Sequence, residues 1–230
     1  ETMLTFDVED ENTKYEKEKP IDTVQLQTNN IIEDKYVIKD MIPRGIVYKT
    51  YIVAENEDGM YLIDQHAAAE RVNYEKCLKK ILNPTIETIP LLIPISIELP
   101  RNEYIVVKNH LDLLESIGIK CEEFGENTFI VRSHPTWLHE NVEKQDIEKI
   151  FELIAHNESF DKNKFIDHAA ATMACRMSIK ANDYITLDEA KYLLDCLRQC
   201  DNPFNCPHGR PTIITYTKYD LEKMFKRVMD

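Results

Sequence analysis

The sequence predicts an α/β (α+β) fold with two subdomains, in which an α+β piece is inserted into the first subdomain. Strand-like and helix-like runs alternate along the chain, and Pro84, Pro90, Pro94 and Pro100 punctuate its middle. With 230 residues, 43% of them apolar, the chain can bury a core. No run approaches the roughly eighteen apolar residues of a membrane span, so we expect a cytoplasmic protein without a membrane partner.

Three segments differ in composition. Residues 1–30 carry charged and amide side chains with little apolar periodicity, so we expect a linker or flexible tail. Residues 31–88 and 162–230 are predicted to form one subdomain. Residues 89–161 are predicted to form the inserted external subdomain, because the proline-rich stretch marks the start of a new unit.

The first folded elements are predicted to be a hairpin and a helix. Residues 44–53 and 60–64 have strand character, and the turn Glu57-Asp58-Gly59 lies between them. A helix then runs to about Lys80, since the alanines at 67–69 are strong helix formers.

The inserted piece is predicted to contain a strand, a helix, a hairpin and a second helix, at residues 93–99, 102–117, 119–133 and 145–156. Gly118 ends the helical periodicity, and Gly125 lies in the turn of the hairpin.

The last third is predicted to be mostly helical. A helix covers residues 164–180, and Thr186 with Glu189 forms a capping box that opens the next helix. A strand at 212–216 and a helix from Lys218 follow.

Two distant segments together indicate a metal site. His66 and Glu70 are four residues apart, so on a helix both side chains project from one face. Cys206 and His208 form a Cys-x-His pair in a tight loop beside Gly209. A set of thiolate, imidazole and carboxylate ligands favours zinc, or another borderline divalent metal, over magnesium.

The other cysteines leave an alternative open. Cys196 and Cys200 are four residues apart and, with Cys206 and His208, could form a four-ligand structural zinc site. Six cysteines in 230 residues are too dilute for a disulfide scaffold. The net charge of −13 opposes unaided binding to a phosphate backbone.

Three motifs carry a family resemblance. They are Asp64-Gln65-His66-Ala67-Ala68-Ala69-Glu70-Arg71-Val72-Asn73-Tyr74-Glu75, Ala174-Cys175-Arg176 and Cys206-Pro207-His208-Gly209-Arg210-Pro211. Together they resemble the motif set of the C-terminal domain of the MutL family of DNA mismatch-repair proteins, in its endonuclease-bearing bacterial forms. The resemblance extends from about Ile31 to Asp230.

The resemblance implies that residues 31–88 and 162–230 form a dimerisation subdomain with an endonuclease site, and that residues 89–161 are regulatory. It also implies nicking of one DNA strand by a metal-activated water. The implied metal ligands are His66, Glu70, Cys175, Cys206 and His208. Asp64 and Glu70 are the implied catalytic residues, and Arg71 and Arg210 are candidate phosphate contacts.

The resemblance also implies cofactors and partners. Manganese is the expected activator, zinc would occupy a regulatory or structural position, and no nucleotide is expected in this fragment. The expected partners are a second copy in a homodimer, DNA bound weakly by the fragment alone, a sliding clamp and MutS, with an N-terminal ATPase domain preceding the linker. The expected location is the bacterial cytoplasm, in association with the nucleoid during repair.

One family feature departs from the pattern. The clamp-binding segment of such proteins begins with Gln, whereas the matching stretch here reads Ile89-Pro90-Leu91-Leu92-Ile93-Pro94. Leu91, Leu92 and Ile93 remain as candidate clamp contacts. The rival hypothesis is a non-catalytic dimerisation scaffold with a structural zinc site. Asp64 beside His66 and Glu70 argues against that rival, because a structural site needs no additional carboxylate.

Overall fold

Two antiparallel sheets organise the chain in the computed structural model, which describes residues 38–83, 85–138, 143–156, 161–177 and 184–228. The first sheet has the order β1-β2-β3-β7, with β1 at Ile42–Val47, β2 at Tyr51–Asn56, β3 at Gly59–Asp64 and β7 at Ile213–Thr217. The second has the order β4-β6-β5, with β4 at Thr88–Glu98, β5 at Lys120–Glu123 and β6 at Thr128–Pro135. The predicted linker, residues 1–30, lies outside the described residues.

Seven helices among the described residues accompany the sheets. They are α1 (Gln65–Ile81), α2 (Arg101–Lys108), α3 (Leu111–Ser116), α4 (Glu143–Ala155), α5 (Lys162–Met177), α6 (Leu187–Arg198) and α7 (Lys218–Met224). The predicted α/β class is confirmed. Within the described part of the chain, no helix combines the length and the apolarity that crossing a membrane requires.

The register of the first sheet brings early and late parts of the chain together. β7 pairs with β3, so that Leu62 lies opposite Ile214, while Val53 of β2 lies opposite Leu62 on the other side. The loop that precedes β7 is therefore placed beside the start of α1.

Two hydrophobic clusters lie under the sheets. Ile52 and Ile63 of the first sheet pack with Leu194 of α6, while Phe129 of the second sheet packs with Phe151 of α4 and Phe165 of α5. Helix α1 contributes to both clusters: Ala68, Ala69 and Val72 belong to the first, and Cys77 and Ile81 to the second. The second cluster combines residues of the predicted inserted piece with side chains of α1 and α5. The cluster therefore does not mark the ends of the inserted piece, and its predicted boundaries at residues 89 and 161 stay a prediction.

Two predicted elements are divided in the structure. Residues 44–53 were expected to form one strand, but Tyr48 and Lys49 have φ values of 53° and 54° and form a turn between β1 and β2. The predicted helix at 102–117 is divided into α2 and α3 at Asn109 and His110. Neither break contains glycine or proline, the residues that usually signal a turn.

The remaining predicted elements are present among the described residues, with shifts of a few residues at their ends. Residues 178–180, which end the predicted helix at 164–180, lie outside the described residues. The hairpins β2–β3 and β5–β6 form around the expected turns. Thr186 and Glu189 form the capping box of α6, in which the Thr186 hydroxyl accepts from the Glu189 N–H and the Glu189 carboxylate accepts from the Thr186 N–H.

Candidate metal centre

The first predicted site residue, Asp64, lies immediately before helix α1. Asp64 is its N-cap, and Asp64 Oδ1 accepts hydrogen bonds from the backbone N–H groups of His66 at 2.9 Å and Ala67 at 3.0 Å. The helical spacing then brings His66 Nε2 to 3.2 Å from Glu70 Oε1. The predicted placement of His66 and Glu70 on one helix face is therefore present in the structure.

Helix α5 brings a thiol to the same carboxylate. It packs against α1, and its residues Ala169, Ala170 and Ala174 are fully buried. The Cys175 thiol donates a hydrogen bond to Glu70 Oε1 at 3.3 Å. A residue 105 positions further along the chain thus reaches the α1 carboxylate.

The loop before β7 supplies the next ligand. The Gly209 N–H donates to the Cys206 carbonyl at 2.9 Å, and Gly209 has a φ of 82°, which favours glycine. This turn places His208 Nδ1 at 3.5 Å from Glu70 Oε2, and His208 Nε2 at 3.5 Å from Cys175 Sγ.

Glu70, Cys175 and His208 form a group whose ligand atoms all lie within 4.8 Å of one another. The ligand atoms of one tetrahedral zinc ion are separated by roughly 3.3 to 3.8 Å, given Zn–N and Zn–S bonds of about 2.0 to 2.3 Å. The separations of 3.3 and 3.5 Å around Glu70 and Cys175 are close to that range. The donor set and its spacing therefore fit a divalent cation of the zinc type.

Glu70 is a buried carboxylate surrounded by groups that favour its charge. Burial opposes its ionisation, but the Cys175 thiol, the Arg210 guanidinium and His66 together hold the pKa of Glu70 below its usual value. Burial, followed by the hydrogen bond to Glu70, raises the pKa of the Cys175 thiol to about 12. A metal that binds this thiolate must therefore displace a proton.

Arg210 and Arg71, the two predicted phosphate contacts, have different surroundings. The Arg210 side chain is 54% exposed and donates to Glu70 Oε2 at 2.8 Å. Arg71 is 9% exposed, and its Nε donates to the Asn205 carbonyl at 2.5 Å. Arg210 is thus open to a ligand, whereas Arg71 is engaged with the loop before Cys206.

The compact group of three does not include two of the predicted ligands. His66 contacts the group through Glu70. Cys206 is buried and hydrogen-bonds with Arg210, which raises the pKa of that guanidinium. Cys206 also lies near enough to Cys175 to disfavour ionisation of its thiol.

The alternative zinc site with Cys196 and Cys200 finds no support in the part of the chain that the structure describes. The only ligand group found there is that of Glu70, Cys175 and His208. Cys200 instead lies buried near Glu75, and burial raises the pKa of its thiol to about 12.

The candidate clamp contacts lie on β4, at the edge of the second sheet. The pairing of β4 with β6 is interrupted between Pro90 and Ile95. Leu91 packs partly against the second cluster, while Leu92 and Ile93 are largely exposed. This interruption therefore presents two apolar side chains outward.

Sequence reasoning missed the role of Glu75. Its buried carboxylate accepts from the backbone N–H groups of Asp201 at 2.7 Å and Asn202 at 3.1 Å. Two signals in the sequence were available. Glu75 ends the first of the three family motifs, and its i,i+4 spacing from Arg71 is a pattern that is equally common on solvent-exposed helix faces.

Comparison with known proteins agrees with the motif resemblance. Residues 44–185 match the family model described as the MutL C terminal dimerisation domain. The chain is 45% identical over 216 residues to the DNA mismatch repair protein MutL of Shouchella clausii, covering 94% of this chain and 33% of that protein. It is 43% identical over 225 residues to the protein of the same name from Listeria welshimeri, covering 96% of this chain and 37% of the relative.

The chain thus spans about a third of the length of the curated relatives it matches. The matched family model covers more than half of the chain. The chain therefore belongs to the MutL family and carries its C-terminal dimerisation domain.

Proposed function

We propose that the chain is a metal-dependent, DNA-nicking endonuclease domain that works as a homodimer in mismatch repair. The observation that carries this proposal is the convergence of Glu70, Cys175 and His208 on one point, close to the first turn of a helix capped by Asp64. Both relatives described above are named DNA mismatch repair proteins. A role on chromosomal DNA brings with it the predicted cytoplasmic, nucleoid-associated location.

Glu70, Cys175 and His208 would hold the cation, with His66 and Cys206 as further ligands. When bound, a divalent cation neutralises charge on the scissile phosphate and lowers the pKa of the attacking water. The thiol and imidazole donors favour zinc, while the carboxylates Glu70 and Asp64 also suit manganese. We therefore propose zinc as the tightly held ion and manganese as the activating one.

Asp64 and Arg210 have the remaining roles in this proposal. Asp64 uses Oδ1 to cap α1, which fixes its carboxylate at the start of the helix. From that position it would accept a proton from the attacking water or orient that water. Arg210 is half exposed beside Glu70 and would hold the phosphate group through its guanidinium.

A second copy of the chain would cover the open face of the first sheet. Ile52 and Ile63 face the helices, whereas the side chains that alternate with them point away. Those outward side chains include Val47, Tyr51, Val53, Leu62 and Ile214, none of which is fully buried. An apolar sheet face of this kind suits a partner surface of the same composition, and the matched family model is that of a dimerisation domain.

DNA and the other partners are proposed for the whole assembly. The net charge of −13 opposes tight binding of DNA by this chain alone. We propose that an N-terminal ATPase domain, MutS and a sliding clamp deliver it. Leu92 and Ile93 would contact the clamp, since they are exposed at the interruption of β4.

A structural zinc site in a non-catalytic scaffold is the second candidate. It is favoured by the thiol of Cys175 and by the way in which Glu70, Cys175 and His208 join early and late segments of the chain. A purely structural zinc site requires no half-exposed arginine beside its ligands, so the position of Arg210 favours the endonuclease over the scaffold.

The deciding experiment is nicking of a supercoiled plasmid in the presence of Mn²⁺. The chain is tested alone and in place of the matching segment of the Shouchella clausii relative, and wild type is compared with Glu70→Ala. We expect relaxed plasmid with wild type, faster nicking in the fusion, and no nicking with the variant. A fusion that binds zinc stoichiometrically and forms dimers, yet nicks no better than Glu70→Ala, would favour the scaffold.

A further inference from the structure

We infer that Arg71 and Glu75 are positioning residues that set the affinity of the metal centre by fixing residues 201–205, the segment that leads into Cys206 and His208. This inference rests on the proposed metal centre and deepens it. Both side chains lie outside the ligand group and contact the loop instead.

Glu75 holds the beginning of the segment. Its side chain is 8% exposed, Oε2 accepts from the Asp201 N–H at 2.7 Å, and Oε1 accepts from the Asn202 N–H at 3.1 Å. Hydrogen bonds from N–H groups to a carboxylate are among the stronger ones in proteins. The chain is therefore fastened to α1 immediately after the end of α6.

Arg71 holds the end of the same segment. Its Nε donates to the carbonyl of Asn205, the residue before Cys206, at 2.5 Å. The charge of this nearly buried guanidinium is compensated by Glu75, whose Oε1 lies 3.7 Å from a terminal nitrogen of Arg71. The central carbon of the guanidinium also lies 5.2 Å from the centre of the Tyr74 ring, within the range of a cation–π interaction. Arg71 and Glu75 thus form one buried unit that hydrogen-bonds to backbone groups of the loop.

The same helix carries both these contacts and a metal ligand. Glu70 precedes Arg71 directly, so the distance from Glu70 to His208 depends on how firmly the loop is held to α1. The far end of the loop is also fixed, because the Asp64 N–H donates to the Thr212 carbonyl at 3.0 Å. Outer contacts that orient metal ligands typically change metal affinity by about 10- to 100-fold when they are removed.

The test measures zinc affinity of the full chain by competition with a chelating dye, for wild type, Glu75→Gln and Arg71→Met. The Glu75→Gln variant keeps the volume of the side chain but replaces one acceptor oxygen with an NH₂ group that faces a backbone N–H. We expect both variants to bind zinc at least about 10-fold more weakly. The visible spectrum of the Co²⁺-loaded protein should also change in its thiolate-to-cobalt band, since His208 and the thiols would no longer be held in one arrangement.

Val131→Ala is the matched control. Val131 is fully buried in the second sheet, so its truncation lowers stability without altering the loop. If Val131→Ala weakens zinc binding as much as Glu75→Gln does, general destabilisation explains the effect and the positioning role is wrong. Should Glu75→Gln fail to fold, Arg71→Met decides by the same comparison.

The outcomes separate this inference from the proposed function. A wild-type chain that binds neither zinc nor cobalt overturns the metal centre itself. A wild type that binds zinc, with Glu75→Gln and Arg71→Met within about two-fold of it, leaves the metal centre standing and overturns only the positioning role.

Discussion

The backbone N–H of Asp64 donates to the carbonyl oxygen of Thr212 at 3.0 Å, so the cap of helix α1 is tied directly to the end of the loop that carries Cys206 and His208. The Thr212 side chain is buried, and its hydroxyl donates to the carbonyl of Pro203 within the same loop. The candidate catalytic carboxylate and the candidate ligands therefore share one hydrogen-bonded frame.

Asp64→Asn should abolish nicking and leave the fold intact. Asparagine caps a helix about as well as aspartate, so the free energy of unfolding should hardly change. The carboxylate that would accept a proton is lost, however. Plasmid nicking, zinc content and sedimentation should be measured together. Asp64→Ala serves as the contrast, since it also removes the cap and should lower stability by about 1 kcal/mol. Unchanged nicking by Asp64→Asn would exclude a catalytic role for this carboxylate.

Arg210→Ala should lower nicking at least about tenfold, because Arg210 would contact the phosphate. The variant should not bind metal more weakly, although the Arg210 guanidinium donates to Glu70 at 2.8 Å. Removing this competing positive charge should favour a cation at Glu70. The measurements are nicking rate against plasmid concentration and zinc affinity. Arg132→Ala is the control, since Arg132 is an exposed arginine paired with Glu122 in the second sheet. Equal losses in both variants would point to general charge effects.

Ile214→Glu should convert the dimer to a monomer. Ile214 lies on the open face of the first sheet and is 49% exposed, so a monomer can accept the charge without unfolding. In a covered interface the same carboxylate would be desolvated without a partner. Analytical ultracentrifugation reports the outcome. Leu92→Glu, fully exposed on the second sheet, should remain dimeric. A dimeric Ile214→Glu would place the dimer contact elsewhere.

The β1–β2 turn should be open to stabilisation. Tyr48 and Lys49 both have positive φ, and the Thr50 N–H donates to the Val47 carbonyl at 3.1 Å, an arrangement that favours Asn-Gly. Replacing the pair with Asn-Gly should raise the free energy of unfolding by roughly 1 kcal/mol. Urea unfolding measures this change. Gln65→Ala, which removes the bond from Gln65 Nε2 to the Lys49 carbonyl, should act in the opposite direction.

Stability should fall in alkaline solution in part because of Cys77. Burial raises the pKa of this thiol from 9.0 to about 12. The folded protein keeps the Cys77 proton to a higher pH than the unfolded chain does. The contribution of this thiol to the free energy of unfolding is therefore fully present below about pH 9 and is lost as the pH rises towards 12. The loss per thiol approaches about 1.4 kcal/mol per pH unit. The free energy of unfolding should be measured with urea for wild type and Cys77→Ala at pH 8 and pH 10, with reductant. It should change less with pH in the variant. Equal changes in the two proteins would contradict the assignment to Cys77.

The sequence predicted those features that depend on neighbours along the chain. The i,i+4 spacing of His66 and Glu70 and the capping box of Thr186 and Glu189 are local, and both are present. The turn at Tyr48 and Lys49 was missed because neither residue type favours positive φ. That conformation is supported by hydrogen bonds from Gln65, which is close only in the folded chain.

At the metal centre, too, only part of the arrangement could be predicted from the sequence. Motif resemblance named Glu70, Cys175 and His208, and the structure brings these three together. The contacts of Arg71 and Glu75 could not be foreseen, because their partners are backbone groups of residues 201–205, which have no side-chain signature. Whether a helix arginine faces a phosphate or a carbonyl is decided by tertiary packing.

The wide separation of the ligands along the chain also determines when the centre can appear during synthesis. Glu70 meets Cys175 across 105 residues and Arg210 across 140 residues. A nascent polypeptide on the ribosome cannot complete this cluster until the loop with His208 and Arg210 has emerged, and such long-range contacts form late in folding. If the centre cuts DNA as proposed, unfinished copies that lack this loop would be inert, so incomplete synthesis would release no active nuclease.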